Sequence, residues 1–253
     1  MKLGAQLYSV RTFIQTPSDM RNTFERLRKI GYECVQLSGA GPIEAEELQM
    51  ISQETGLPIV CTHVPVNRIL EDTDALIREH RTFECSVIGL GSIPKEYRTY
   101  GDEQVNFLAK LNEAAKRIEA AGMRFAYHNH AFEFETEADG RPCLYDRLLE
   151  EFPNWDFILD TYWVEFAGQS AVEYIERVGA NRLANIHFKD LANDEKRSIC
   201  ACGNGILNFE QIYQACLKQN VQNVLVEQDN AVNFDDPIGQ MQDSFRHLRP
   251  IVH

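Results

Sequence analysis

Four short apolar runs in the second half of the chain each end in a side chain able to ligate a metal or move a proton. Phe125-Ala126-Tyr127-His128-Asn129-His130, Phe157-Ile158-Leu159-Asp160, Asn185-Ile186-His187 and Val224-Leu225-Val226-Glu227 present His128, Asp160, His187 and Glu227 in turn. Each alone has a plain reading, since a lone Asp after a strand often caps the next helix and a lone His often sits satisfied in a core. Together they ask for more, because buried charges must be paired or bound to a cation. Two imidazoles and two carboxylates form a borderline-hard donor set that suits one divalent ion, manganese first, with zinc, cobalt or iron as alternatives. Magnesium and calcium, which prefer oxygen ligands, suit it less. A cation held there would act as a Lewis acid on vicinal substrate oxygens, with Glu227 or a nearby carboxylate taking a proton.

Other polar groups fall at or just past the ends of apolar runs: Gln6 and Tyr8 in the first, Gln36 in the second, His63 in the third, His130 in the fifth and Lys189 after His187. These suit recognition of hydroxyl groups. Gln36 reads equally as a hydrogen-bonded barrel residue, and Lys189 as a surface partner of Asp190. Glu133 lies among aromatic residues in His130-Ala131-Phe132-Glu133-Phe134, which would exclude water and raise its pKa toward a range useful for proton transfer. Glu133 and Lys189 are therefore candidates for a second proton carrier, the plain alternative for Glu133 being a loop carboxylate. Tyr162 and Trp163 follow Asp160 and form either a stacking wall for the apolar face of a sugar or a plug for the fold. Gly203-Asn204-Gly205 reads as a turn rather than a phosphate cradle.

Positioning such groups requires a parallel sheet, because strand-like runs near 2–8, 33–38, 58–64, 85–91, 123–130, 155–160, 182–188 and 223–228 alternate with segments of helical period. Eight β/α units of about 30 residues match a closed (β/α)8 TIM barrel of about 250 residues better than an open doubly wound sheet. The active site of such a barrel forms at the C-terminal ends of its strands, where these polar residues lie. In the first helix Met20, Phe24, Leu27 and Ile30 make one buried stripe, Ser18 or Asp19 can cap its start, and Gly31 follows its last turn. No linker or low-complexity stretch divides the chain, so residues 1–253 read as a single α/β domain.

With 25 Lys and Arg against 38 Asp and Glu, the formal charge is −13, which disfavours nucleic acid and anionic membranes as partners. The seven cysteines show no Cys-x-x-Cys pairing, Cys200 and Cys202 reading as a reduced pair, and a reducing compartment follows. Lys2 leads directly into Leu3-Gly4-Ala5-Gln6-Leu7 without the apolar core of a leader, and no stretch approaches about 20 apolar residues. The expectation is a cytoplasmic protein acting on a small molecule. A homo-oligomer stays open.

Leu7-Tyr8-Ser9-Val10-Arg11, Gly31-Tyr32-Glu33-Cys34-Val35-Gln36-Leu37, Tyr127-His128-Asn129-His130, Leu159-Asp160-Thr161-Tyr162-Trp163, Ile186-His187-Phe188-Lys189-Asp190 and Val226-Glu227-Gln228-Asp229 carry a further signal. Through them nearly the whole chain resembles the xylose-isomerase-like barrels, the sugar phosphate isomerases/epimerases grouped with inosose dehydratases and endonuclease IV. The resemblance implies one divalent cation bound through Glu, Asp, His and Glu, at positions that are His128, Asp160, His187 and Glu227 here. His128 replaces the usual Glu and leaves His130 and Glu133 open as the fifth-strand ligand. Trp163 replaces a His, and Gln36 replaces a Glu. The implied activity is a metal-dependent isomerase or epimerase of sugars. A dehydratase or lyase acting on a keto-sugar, inosose or keto-glycoside is the next reading, ahead of a metal-free sugar-binding barrel and of a nuclease.

Overall fold

Strands too short to fold alone hold together by closing on one another, and here eight of them form a continuous parallel ring. A computed structural model describes residues 1–137 and 139–253. The strands are β1 (Lys2–Gln6), β2 (Val35–Leu37), β3 (Ile59–His63), β4 (Val87–Leu90), β5 (Arg124–His128), β6 (Asp156–Asp160), β7 (Leu183–Phe188), β8 (Asp190–Leu191), β9 (Ile199–Cys200) and β10 (Asn223–Val226). All but β8 and β9 close in the order β1-β10-β7-β6-β5-β4-β3-β2, giving a (β/α)8 TIM barrel. The β8–β9 pair is a separate antiparallel ribbon in the segment after β7.

Each barrel strand lies within a stretch that alternation of apolar residues marks out. Two boundaries differ. The first strand stops at Gln6, and Leu7–Phe13 winds as a 3-10 helix whose first turn is capped by the Gln6 side chain accepting from Tyr8 N at 2.8 Å. The fifth stops at His128, so His130 stands beyond the sheet. The helix Pro17–Ile30 is capped by Thr16, whose Oγ1 accepts from Asp19 N at 3.2 Å, rather than by Ser18 or Asp19. Of its expected stripe, Met20, Phe24 and Leu27 are buried, and Ile30 is half-buried against the core.

Alternation also builds the floor of the site. Cys61, Val87, Ala126 and Ile158 lie two residues before His63, Gly89, His128 and Asp160, hence on the same strand faces, and with Ala184 they form a buried apolar cluster. That plug keeps water from reaching the polar layer from below. A larger core, shared by strands and helices, includes fully buried Trp155, stacked on Phe152 at 4.3 Å, with its indole N–H donating to Asn112 Oδ1 at 3.0 Å. Among the described residues no helix is long and apolar enough to cross a membrane.

Candidate active site and metal centre

Parallel register sets Asp160 of β6 beside His187 of β7, and the amide of Glu227, just past β10, donates to Phe188 O at 3.1 Å. With His128 from β5, all four are buried and offer ligand atoms lying within 4.8 Å of one another. His187 Nδ1 lies 2.9 Å from Glu227 Oε2 and 3.8 Å from Asp160 Oδ2, and His128 Nε2 lies 3.5 Å from Asp160 Oδ2.

The outer atoms of these side chains are fixed by neighbours. His128 Nδ1 donates to Gly91 O at 2.9 Å, since a carbonyl only accepts, and His187 Nε2 donates to Gln36 Oε1 at 2.8 Å. Each ring therefore turns its other nitrogen toward a carboxylate oxygen. Asn129 brackets the end of β6, its Oδ1 accepting from Asp160 N at 2.9 Å. Asp160 Oδ1 accepts from Trp163 N at 3.2 Å and so caps the helix Thr161–Phe166, while Oδ2 faces the centre. Buried His128 Nε2, Asp160 Oδ2 and His187 Nδ1 have no hydrogen-bond partner. These inward nitrogen and oxygen atoms are of the types that ligate a divalent cation, so the group fits a metal ion.

A second cation borders this group. The buried Lys189 Nζ lies 2.7 Å from Asp229 Oδ2, 3.3 Å from Asp160 Oδ2 and 3.4 Å from Glu227 Oε2. Burial pulls its pKa down, but the three carboxylates outweigh that and hold it above its ordinary value. Burial likewise pushes Glu227 up, and Lys189 with His187 overcomes it, bringing Glu227 to about 2. His187 is pulled down by burial yet lifted to about 9 by Glu227 and Asp160. Its Nδ1 must lose that proton to ligate a metal.

Asp190 takes no part in this ion cluster. Buried completely, it accepts backbone N–H bonds from Leu191 at 2.8 Å, Gly203 at 2.8 Å, Gly205 at 2.9 Å and Leu207 at 3.2 Å. Gly203-Asn204-Gly205 is thus a turn, and the anion it wraps is the chain's own carboxylate. A Cβ on Gly205 would meet Asp190 Oδ1 at 2.3 Å, so no larger residue fits this close approach.

Above the cluster opens a cavity of about 1270 Å³ whose lining includes Gln6, Tyr8, His63, His130, Lys189 and Glu227. His63 packs its ring 5.0 Å from His128 and 5.7 Å from His187, with Nε2 buried and unpartnered. His130 faces the Trp163 ring at 5.3 Å, its Nδ1 also unpartnered. Burial keeps both imidazoles neutral, lowering His63 well below its usual value and His130 to about 3. Tyr8 stands at the rim with the Arg11 guanidinium stacked 4.2 Å above its ring.

Other expected site residues fall elsewhere. Gln36 does not line the cavity, and its Oε1 accepts from His187 Nε2. Trp163 stands half-buried beside His130, whereas Tyr162 is buried with its hydroxyl donating to Arg197 O at 2.9 Å, so the aromatic pair is divided. Glu133 is fully buried and absent from the cavity lining, its carboxylate accepting from Tyr127 Oη and His130 N, each at 2.8 Å. Three contributors escaped the sequence reading: Asn129, the Gly91 carbonyl and Asp229. For Asp229 a signal existed, because it follows Glu227 by two residues and an extended chain brings such residues to one face.

Burial lifts the pKa of Glu133 from 4.5 to about 7 against the pull of its two hydrogen bonds. A carboxyl whose folded pKa exceeds its unfolded one supports folding below the unfolded value and loses that support as pH rises through the folded value. Glu133→Gln should therefore gain on wild type between pH 5 and pH 8 by on the order of 3 kcal/mol. Urea unfolding of both proteins at the two pH values measures this. A constant difference would contradict the account of Glu133.

Residues 24–251 match the family model described as Xylose isomerase-like TIM barrel. No curated protein sequence matches the chain. Among solved structures, a sugar phosphate isomerase/epimerase from Parabacteroides distasonis ATCC 8503 superposes with a TM-score of 0.82 at 22% identity, covering 100% of this chain and 96% of that one. An L-ribulose 3-epimerase has a TM-score of 0.74 at 13% identity, covering 98% and 93%. The probable 3-DHS dehydratase involved in petrobactin synthesis from Bacillus anthracis also reaches 0.74, at 14% identity, covering 98% and 99%. At such identities the likeness carries the fold, and isomerases and a dehydratase share it.

Proposed function

Because the chain belongs to the xylose isomerase-like TIM barrel family, we propose that it is a metal-dependent isomerase or epimerase that moves a proton beside the carbonyl of a sugar or sugar derivative. One observation carries this reading: three buried ligand-type atoms with no hydrogen-bond partner converge with Glu227 beneath a polar cavity. His128, Asp160, His187 and Glu227 would hold the cation. Manganese is the first choice for this mixed donor set, and when bound it polarises vicinal substrate oxygens.

The chain's own groups supply the rest. Glu227, ionised, accepts the proton from the carbon beside the carbonyl and, in the isomerase reading, returns it to the adjacent carbon of the enediolate. The Lys189 ammonium faces the same carboxylate and stabilises negative charge as it develops on the enediolate oxygen. His63 and His130, neutral and with a free nitrogen each, bind substrate hydroxyls, and Trp163, outside the cavity lining, packs behind His130.

A lyase is the second reading, and the cavity favours it. Its volume exceeds the range of about 300–1,000 Å³ usual for small-ligand sites, and it extends outward past Val66 and Phe83, leaving room for a substituent that could depart from a keto-glycoside. Incubation of candidate ketoses and keto-glycosides with Mn2+ in deuterated water, followed by NMR, separates the two. Carbon-bound deuterium with every group retained is expected for the isomerase, and a missing hydroxyl or aglycone for the lyase. Absence of solvent exchange and of product across the panel would count against proton-transfer chemistry.

A further inference from the structure

The ammonium of Lys189 touches two of the oxygens that a metal would bind. Its Nζ stands 3.3 Å from Asp160 Oδ2 and 3.4 Å from Glu227 Oε2, so an ion on either oxygen would lie one atom away from a buried positive charge. In a low-dielectric pocket that proximity opposes metal entry. Yet the shortest contact of Nζ, at 2.7 Å, is to Asp229 Oδ2, and Lys189 is the only described partner of that carboxylate. Asp229 is also the least buried of the three, with its side chain 28% exposed at the cavity wall. Its backbone is anchored by Arg11, which donates to Asp229 O at 2.9 Å. Trp163 and Tyr162 place their rings 5.0 Å and 5.7 Å from Nζ.

We propose that Lys189 is the resident counter-cation of the metal-free cluster, and that Asp229 receives the ammonium when a divalent ion takes Asp160 and Glu227. The proposal rests on the reading of His128, Asp160, His187 and Glu227 as a metal centre. Lys189 then keeps the buried carboxylates compensated before metal arrives and sets how tightly metal is held. Both are positioning effects, separate from the contribution of Lys189 to turnover.

Two substitutions act with opposite signs. Lys189→Met preserves the length of the side chain and removes its charge, so the metal-free protein should melt lower, saturating Mn2+ should restore it, and Mn2+ should bind about tenfold tighter or more. Asp229→Asn removes the receiving charge and leaves the ammonium on the ligand oxygens, weakening Mn2+ binding by about three- to tenfold. In Lys189→Met/Asp229→Asn the effect of the second change should vanish, a non-additivity that an independent pair of sites would not show.

Calorimetric titration of Mn2+ into chelator-treated full-length protein reads these affinities, with Asp160→Asn as the control that marks binding to this cluster. Tighter binding by Lys189→Met with weaker binding by Asp229→Asn supports the proposal. Equal or weaker binding by Lys189→Met overturns it and leaves the metal centre standing. Failure of Mn2+ to bind wild type or any variant overturns both. If Lys189→Met does not fold without metal, the Asp229→Asn titration decides alone, and an affinity equal to wild type overturns the proposal.

Discussion

Glu227→Gln should fold normally and lose catalysis far more than substrate affinity, with kcat falling by about 10²–10⁴-fold at saturating Mn2+. The change is nearly isosteric and keeps one oxygen toward the cluster, so the loss falls on proton acceptance. A group that takes the proton acts chiefly in the transition state, which is why KM should move little. Loss of metal would mimic the result, and occupancy must be measured in the same sample. A kcat within a factor of about three of wild type at full occupancy would rule Glu227 out as the base. His130 would then be the next group to test, because its neutral ring lines the same cavity, whereas Glu133 does not.

Asp190→Ala should be the most damaging single change to stability outside the apolar core. Four backbone N–H groups converge on this one buried carboxylate, and the substitution removes the acceptor of all of them at once. Each bond to a charged group contributes about 1.5–3 kcal/mol, and relaxation of the loop recovers part of the loss. A net loss of at least about 4 kcal/mol is expected, lowering the melting temperature by roughly 10 °C. Thermal and urea unfolding measure it. A loss under about 1 kcal/mol would mean that the turn holds its shape without the carboxylate.

The barrel could be read from the chain because its signals are local. Each strand is a short apolar run followed by a helical period, and the four donors end four such runs. What escaped depends on register and on side chains reaching across elements. The contacts of Lys189 arise only when β7 pairs with β10, which brings Glu227 and Asp229 to its ammonium. Gln36 meets His187 across 151 positions of sequence, a pairing no periodicity announces. The β8–β9 ribbon has two residues per strand, too few for alternation to register. The capping of the first helix by Thr16 rather than Ser18 turned on a shift of two residues, smaller than local propensity resolves.

The donors come from β5, β6, β7 and β10, one unbroken arc of the ring, and the cavity spreads outward over the loops that follow β2 and β3 on the other side. Much of the outer cavity wall is therefore carried by different stretches of chain from the donors. Drift in residues 38–46 and 64–83 can change which molecule is admitted without displacing a donor atom, and a mutant library confined to those stretches can be screened for new substrates on an intact centre. Such a layout lets one barrel diversify by rewriting two of the eight loops on its rim.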